Sequence, residues 1–322
     1  MHEMTVKRRK INILISPAGM AAAYHLTVLA RQYFSDDVSI HLCDTNPGYL
    51  IAASTRAASY TQITPFIDRN HRKQLLDIMK QKSIDIFLPM IEQELCTFPS
   101  DDEDLARIGI RCVSIPCTII SLVQNKRFMI RFLSNHGIPV PHEMTKKEIR
   151  RRGIYFAKPI DGYGSKGSMR ISGEDVAPYI SSGTMLVEEL CKGPEVTIET
   201  FNTKNLFSTI CRQRLETKGG VCTKARIFFD PTLHTLANRV CSLLPLPPAI
   251  CIQVMKNSKK QWVVTDVNPR LGAGTSMASA YGWSLGSALL SYLLDRDSKQ
   301  WLTKQKRDVY VVRTYQDIIM KR

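Results

Sequence analysis

The chain has 322 residues, with 44 lysines and arginines against 29 aspartates and glutamates, a formal net charge of +15. That length accommodates two or three domains, and 44% hydrophobic with 23% charged residues is a globular composition that excludes disordered, collagen-like and coiled-coil chains. The positive excess fits nucleic acid, an anionic membrane surface or a strongly anionic small ligand, and composition does not choose among them.

The first ten residues are basic, but the apolar run that follows, Ile11 to Ile15, is too short for a signal-peptide core or a membrane span. The expected location is the cytoplasm, with no membrane insertion. Nine cysteines are scattered through apolar stretches without a C-x-x-C pair, so they read as buried, reduced thiols and not as a zinc or redox site. Seven isolated histidines offer no metal-ligand spacing either. The densest basic runs, Lys7 to Lys10 and Lys146 to Arg152, lack interleaved aromatics; they read as solvated faces, and nucleic-acid binding is the disfavoured alternative.

From residue 11 short apolar runs alternate with amphipathic ones. Strands are expected at Ile11 to Ile15, Val38 to Leu42 and Ile84 to Leu88, with helices near 20–33 and 69–82. This β-α-β repetition predicts a doubly wound parallel sheet, whose ligands sit beyond the carboxyl ends of the strands. Ser16 to Met20 supplies one glycine where a dinucleotide fingerprint needs three, which excludes a nicotinamide enzyme. Asp44, at the end of the second strand, is expected to cap a turn or line a different pocket.

A helix is expected from Pro116 to His136, stopped by Gly137 and the Pro139-Val140-Pro141 break. Strand-like runs follow at 154–158, 185–189, 195–201, 206–211, 224–229, 250–255 and 262–267, with one helix over 233–244. The second half is therefore expected to be α+β. The expected division is a leading domain over 1–115, a small lobe with linker helix and glycine loop over 116–190, and a large lobe over 191–322.

The strongest local signal is Ala157 to Gly167, where three glycines, a serine and two lysines form a loop whose backbone N–H groups suit phosphate oxygens. The Walker spacing is absent, and the segment alone reads equally as a glycine-rich hairpin. Its context is Leu186-Val187-Glu188-Glu189-Leu190, then Gly193-Pro194-Glu195, then Gln253 and Thr265-Asp266-Val267-Asn268-Pro269-Arg270. In this order the segments resemble the ATP-grasp superfamily, and more narrowly the stand-alone carboxylate–amine ligases related to the large chain of carbamoyl phosphate synthetase. The resemblance spans essentially the whole chain.

That resemblance implies a leading doubly wound domain followed by a two-lobed ATP-grasp domain. It implies that Lys126 and Lys158 contact nucleotide phosphates, and that Gly162, Gly164, Ser165, Lys166 and Gly167 belong to the loop closing over the β- and γ-phosphates. Glu188, Glu189 and Leu190 would form the hinge strand whose backbone reads the adenine edge, and Glu195 would hold the ribose hydroxyls. Gln253, Asp266 and Asn268 would be metal ligands. Chemistry agrees, because Mg²⁺ takes hard oxygen donors and bridges protein to substrate phosphates, and residues 266 and 268 share one face of a strand. Mn²⁺ is an alternative ion. Asp266 and Asn125 depart from the Glu and Asp common in relatives, without removing a necessary group.

Arg270 and Arg214, with Lys158, are the expected catalytic cations for transfer of a γ-phosphoryl group to a carboxylate. Arg212, alternating with Arg214, and the N–H groups at Gly272 and Gly274 are expected to bind substrate, as is Glu94; Asn46 lies near the same strand ends. Cys222 is the best-placed cysteine, expected to shape the pocket and not to act as a nucleophile. The expected reaction joins a small-molecule carboxylic acid to an amine through an acyl phosphate, with ATP and Mg²⁺. A silent ATP-binding regulator is the alternative from another class, and a homodimer remains open.

Overall fold

A computed structural model describes residues 9–162, 166–303, 307–314 and 316–320. The leading part is a parallel sheet built from β1 (Ile11–Ser16), β2 (Val38–Asp44), β3 (Ser59–Gln62), β4 (Ile86–Pro89) and β5 (Arg111–Cys112), in the order β3-β2-β1-β4-β5. Ile13, Leu14 and Ile15 are fully buried, as a central parallel strand covered on both faces requires. Helix α1 (Ala21–Tyr33) packs on the face of Ile13 and Ile15, whereas α2 (His71–Gln81) covers Leu14 and Phe87 with Leu75 and Met79. The strand order reverses between β1 and β4, where Ser16 pairs with Pro89. A ligand crevice is expected at such a point, and α3 (Glu92–Thr97) starts directly beyond it, followed by α4 (Glu103–Arg107).

The helix expected over 116–136 is broken. Helices α5 (Ile120–Gln124) and α6 (Lys126–Asn135) meet at Asn125, whose backbone is extended and whose side chain accepts the Phe128 N–H at 3.1 Å. Asparagine is a strong N-cap, so it ends one helix and starts the next, putting Lys126 at the first position of α6.

The small sheet is β7-β6-β8, from β6 (Ile154–Pro159), β7 (Met169–Ser172) and, after α7 (Ala177–Ser181), β8 (Met185–Glu189). The large antiparallel sheet runs β13-β12-β9-β10-β11-β14. It consists of β9 (Val196–Asn202), β10 (Phe207–Lys218), β11 (Val221–Phe228), β12 (Ala249–Lys256), β13 (Trp262–Asn268) and the returning edge β14 (Val309–Val312). Helix α8 (Pro231–Leu243) and α6 cover one face through Leu236, Val240, Met129 and Leu133. After the short α9 (Thr275–Ser279), α10 (Leu285–Leu293) covers the other face and shares one core with α1 of the leading sheet. Gly286 makes that contact close, because a Cβ there would lie 2.7 Å from Leu29. One apolar core thus fixes the leading sheet relative to the large sheet. No helix among the described residues is long and apolar enough to cross a membrane.

Candidate active site

Between the small sheet and the β12–β13 hairpin lies a cavity of about 380 Å³, lined by Lys126, Lys158, Lys166, Glu188, Glu195, Arg214, Gln253, Asp266 and Asn268 among others. Its size falls in the range of small-molecule sites. The pairing of β6 with β8 puts Lys158 opposite Leu186 and so diagonal to Glu188 on the same face, and the Lys158 ammonium lies 2.9 Å from Glu188 Oε2 and donates to the Thr265 carbonyl at 3.1 Å. Both side chains are almost fully buried. Burial pushes the Glu188 carboxyl up, opposed by the Lys158 charge, and its Oε1 has no partner among the described residues.

Lys126 donates to the Gly162 carbonyl, and its own N–H donates to the Ile160 carbonyl at 3.0 Å, so α6 and the glycine loop are tied together. Gly162 and Lys166 line the cavity. Gly167, at φ +74°, does not line it and sits against Pro159; Gly164 and Ser165 lie outside the described residues. Glu189 and Leu190 line the cavity where β8 ends. Glu195 is ion-paired with Arg214, which also donates to the Gly220 carbonyl at 2.8 Å. The pair ties the carboxylate expected on the ribose to the tip of the β10–β11 hairpin.

The metal candidates converge through strand register. Gln253 stands opposite Asp266 on antiparallel strands, with a bulge directly after Gln253, and Asn268 follows on the same face as Asp266. Asp266 Oδ2 accepts from Asn268 Nδ2 at 3.2 Å. One carboxylate and two amide oxygens fit Mg²⁺, which keeps several positions for water and phosphate. Among the described residues no group of three or more His, Cys, Asp or Glu is placed to hold a metal ion.

Arg270 donates to Glu92 Oε1 at 3.2 Å and to Asn268 Oδ1 at 3.3 Å. Its Nε is buried without a partner among the described residues. It therefore stands beside the metal candidates.

Three expectations for substrate residues are corrected. Arg212 is almost completely buried, and its Nε and Nη2 donate to Oε1 of the fully buried Glu199 at 3.1 and 2.9 Å. The other Glu199 oxygen accepts from Thr275 Oγ1 at 2.8 Å and from Cys251 Sγ at 3.1 Å. Arg212 is a platform under the loop after Arg270, not a substrate ligand. The cradle expected at Gly272 and Gly274 is likewise occupied at Gly272, and Gly274 lies against Arg212. Gly272 N–H is taken by Thr275 Oγ1 at 3.1 Å, and a Cβ on Gly274 would fall 2.3 Å from the Arg212 guanidinium carbon.

Glu94 is buried inside the leading sheet, accepting from Ser16 Oγ at 2.8 Å with His71 Nε2 at 3.4 Å. Its neighbour Glu92 is the one that reaches the cavity. Residues two apart on a helix point in different directions, so one carboxylate faces the core and the other the cavity. Asn46 Nδ2 donates to Asp44 Oδ1 at 2.9 Å and Asp44 Oδ2 accepts from Gly19 N–H at 2.7 Å, a capped turn. Cys222 is buried in the core, its thiol on the Lys224 carbonyl, and does not line the cavity.

A second cavity of about 570 Å³ adjoins the first, lined by Glu92, Gln93, Ser121, Gln124, Asn125, Phe128, Asp161 and Gly162. Among the described residues, Glu92 and Gly162 alone line both. Glu92 is not among the residues expected at the site; the signal for it is its place at the start of the helix leaving the switch-point strand.

The ATP-grasp domain family matches residues 123–274, and the PylC-like N-terminal domain family matches residues 13–113. No curated protein gives a significant sequence match. Among solved structures, N5-carboxyaminoimidazole synthetase from Staphylococcus aureus complexed with ADP is 14% identical, with 90% of this chain and 79% of that one covered at a TM-score of 0.70. L-amino acid ligase from Bacillus licheniformis is also 14% identical, covering 94% and 79% at 0.70. A biotin carboxylase–ATP-analogue complex from Campylobacter jejuni is 13% identical, covering 88% and 70% at 0.70. Residues 13–113 are thus a PylC-like N-terminal domain and residues 123–274 an ATP-grasp domain, and the chain shares the fold of these solved structures.

Proposed function

We propose that the protein is an ATP-dependent carboxylate–amine ligase that forms an amide through an acyl phosphate. The observation that carries this reading is the convergence in one cavity of Lys126, Lys158, Glu195 and the oxygen donors Gln253, Asp266 and Asn268, with Arg270 beside them. Lys126 and Lys158 would hold the nucleotide phosphates, and Glu195 the ribose hydroxyls. The backbone at Glu188 to Leu190 would take the adenine edge. Mg²⁺, held by Gln253, Asp266 and Asn268, would supply charge neutralisation on the phosphates.

In the first step a carboxylate oxygen of the acid attacks the γ-phosphorus and ADP leaves. Arg270, a fork of fixed donors, would sit against the charge that develops on the transferring phosphoryl group. In the second step an amine attacks the acyl carbon and phosphate leaves, giving the amide. Phosphorylation is required because a carboxylate oxygen is a poor leaving group at neutral pH, and positioning with electrostatics suffices without a protein nucleophile. The nine free thiols favour a reducing compartment such as the cytoplasm.

The test is ADP release from MgATP across a panel of carboxylic acids with hydroxylamine as the trap. Acid-dependent ADP release with a matching hydroxamate supports the ligase. ATP binding without ADP or hydroxamate for any acid favours a silent nucleotide-binding protein.

A further inference from the structure

Glu92 occupies the wall between two cavities. Among the described residues it is the one ionisable side chain lining both the cavity that holds the nucleotide-binding candidates and the adjoining one of about 570 Å³. Its Oε1 accepts from Arg270 Nη2 at 3.2 Å, and its side chain is 19% exposed. On the ligase reading, the acyl phosphate would form at the edge of the first cavity where Glu92 and Asn268 meet Arg270. The second cavity, lined by carboxylates and amides with no lysine or arginine among its described lining residues, is the approach left for the amine.

We propose that Glu92 is the general base of the second step, taking a proton from the incoming ammonium within reach of the Arg270-held acyl phosphate. An amine arrives at neutral pH as an ammonium ion with no lone pair for attack. One N–H proton passes to the Glu92 carboxylate and later to solvent. The freed lone pair forms the C–N bond, the acyl C–O bond to phosphorus breaks with its electron pair on phosphate, and the second N–H proton leaves with that phosphate. No oxidant or further reactant is needed.

The groups around Glu92 are suited to this work. Burial pushes its carboxyl up, whereas Arg270 and Lys126 pull it down; Cys96, on the same helix, is pushed up by burial and then by Glu92. A base tuned upward from the ordinary carboxylate range is better matched to neutral operation. Lys126 is committed to the Gly162 carbonyl, so Arg270 is the cation in direct contact. Glu94, two residues on, is pinned by Ser16 and His71, which fixes the helix that carries Glu92.

The experiment compares two nucleophiles on the acid that best stimulates ADP release. Hydroxylamine is largely unprotonated at neutral pH and needs no base, whereas n-butylamine and 1,4-diaminobutane arrive protonated. In Glu92→Gln, amide formation from the alkylamines should fall by about 10² to 10⁴ more than hydroxamate formation, with partial recovery at high pH where free amine accumulates. Glu92→Asp should restore part of the loss. Equal loss with both nucleophiles would overturn the proposal, leaving Glu92 as a positioning residue for Arg270, and so would no loss with either. An absence of hydroxamate from the parent protein with every acid would count against the ligase reading instead.

Discussion

The ammonium of Lys158 and the carboxylate of Glu188 meet at 2.9 Å across neighbouring strands of the small sheet, both almost wholly out of water. A buried pair of this kind is weak evidence of stability in itself, yet breaking it strands a charge. Glu188→Gln should cost about 3 to 5 kcal/mol in denaturant unfolding, whereas the paired apolar replacement Lys158→Met with Glu188→Leu should cost much less. In the ligand assay the order changes. Lys158→Ala should remove the rise in melting temperature produced by MgATP, which stabilises the parent by mass action.

Asp266 is the only carboxylate among the three oxygen donors facing each other across β12 and β13. Asp266→Asn keeps the volume and removes the main negative charge opposite a divalent ion. Turnover should collapse while metal-free ADP binding changes little. Raising Mg²⁺ or Mn²⁺ should recover part of the activity, which a misfolded variant would not show.

Gly274 rests on the Arg212 guanidinium, with φ −94°, a backbone angle open to any residue. Its importance is therefore steric. Gly274→Ala would push a methyl to within 2.3 Å of the guanidinium carbon, lifting either the loop after Arg270 or Arg212 from Glu199. Overpacking of this type costs about 1 to 3 kcal/mol. Thermal unfolding should show that loss, and acid-dependent ADP release should fall by more than nucleotide affinity.

Which parts of this could be read from the chain follows from the range of the interactions involved. The alternating runs at 11–88 and the Asp266-Val267-Asn268 alternation report local geometry, and local geometry is what periodicity encodes. The break at Asn125 was a cap residue inside an otherwise helical pattern, where capping wins over continuation. Arg212 looked available because its strand alternates with Arg214. Its burial depends on Glu199, Thr275 and Cys251, which come from three other segments. Glu92 and Glu94 differ only in the face of a short helix, and the contacts that decide between them, with Arg270 and with Ser16, span 178 and 78 positions in the chain. The edge strand β14 pairs with β11 from a stretch with no turn chemistry linking the two.

His25 makes a pH prediction. Burial lowers its pKa to about 4, with Arg313 adding to the effect and Glu199 opposing it, so it is neutral in the folded protein near pH 7. The unfolded chain binds the proton first, near 6.5, and stability falls as pH drops from there to about 4. The loss is about 3 kcal/mol at most for one such shift. Its imidazole is 2.9 Å from Ser279 Oγ, so His25→Gln keeps a polar partner while removing the titration. Melting temperatures measured between pH 7 and pH 4 should decline less steeply in the variant than in the parent.

The acyl phosphate is the central claim, and oxygen transfer tests it most directly. The acid that best stimulates ADP release is labelled with ¹⁸O in its carboxylate and incubated with the protein, MgATP and an amine, and the released phosphate is read by mass spectrometry. Formation of an acyl phosphate moves one carboxylate oxygen to phosphorus, so each amide formed should be matched by one phosphate carrying one ¹⁸O. Phosphate without label, alongside continued ADP release, would contradict the account.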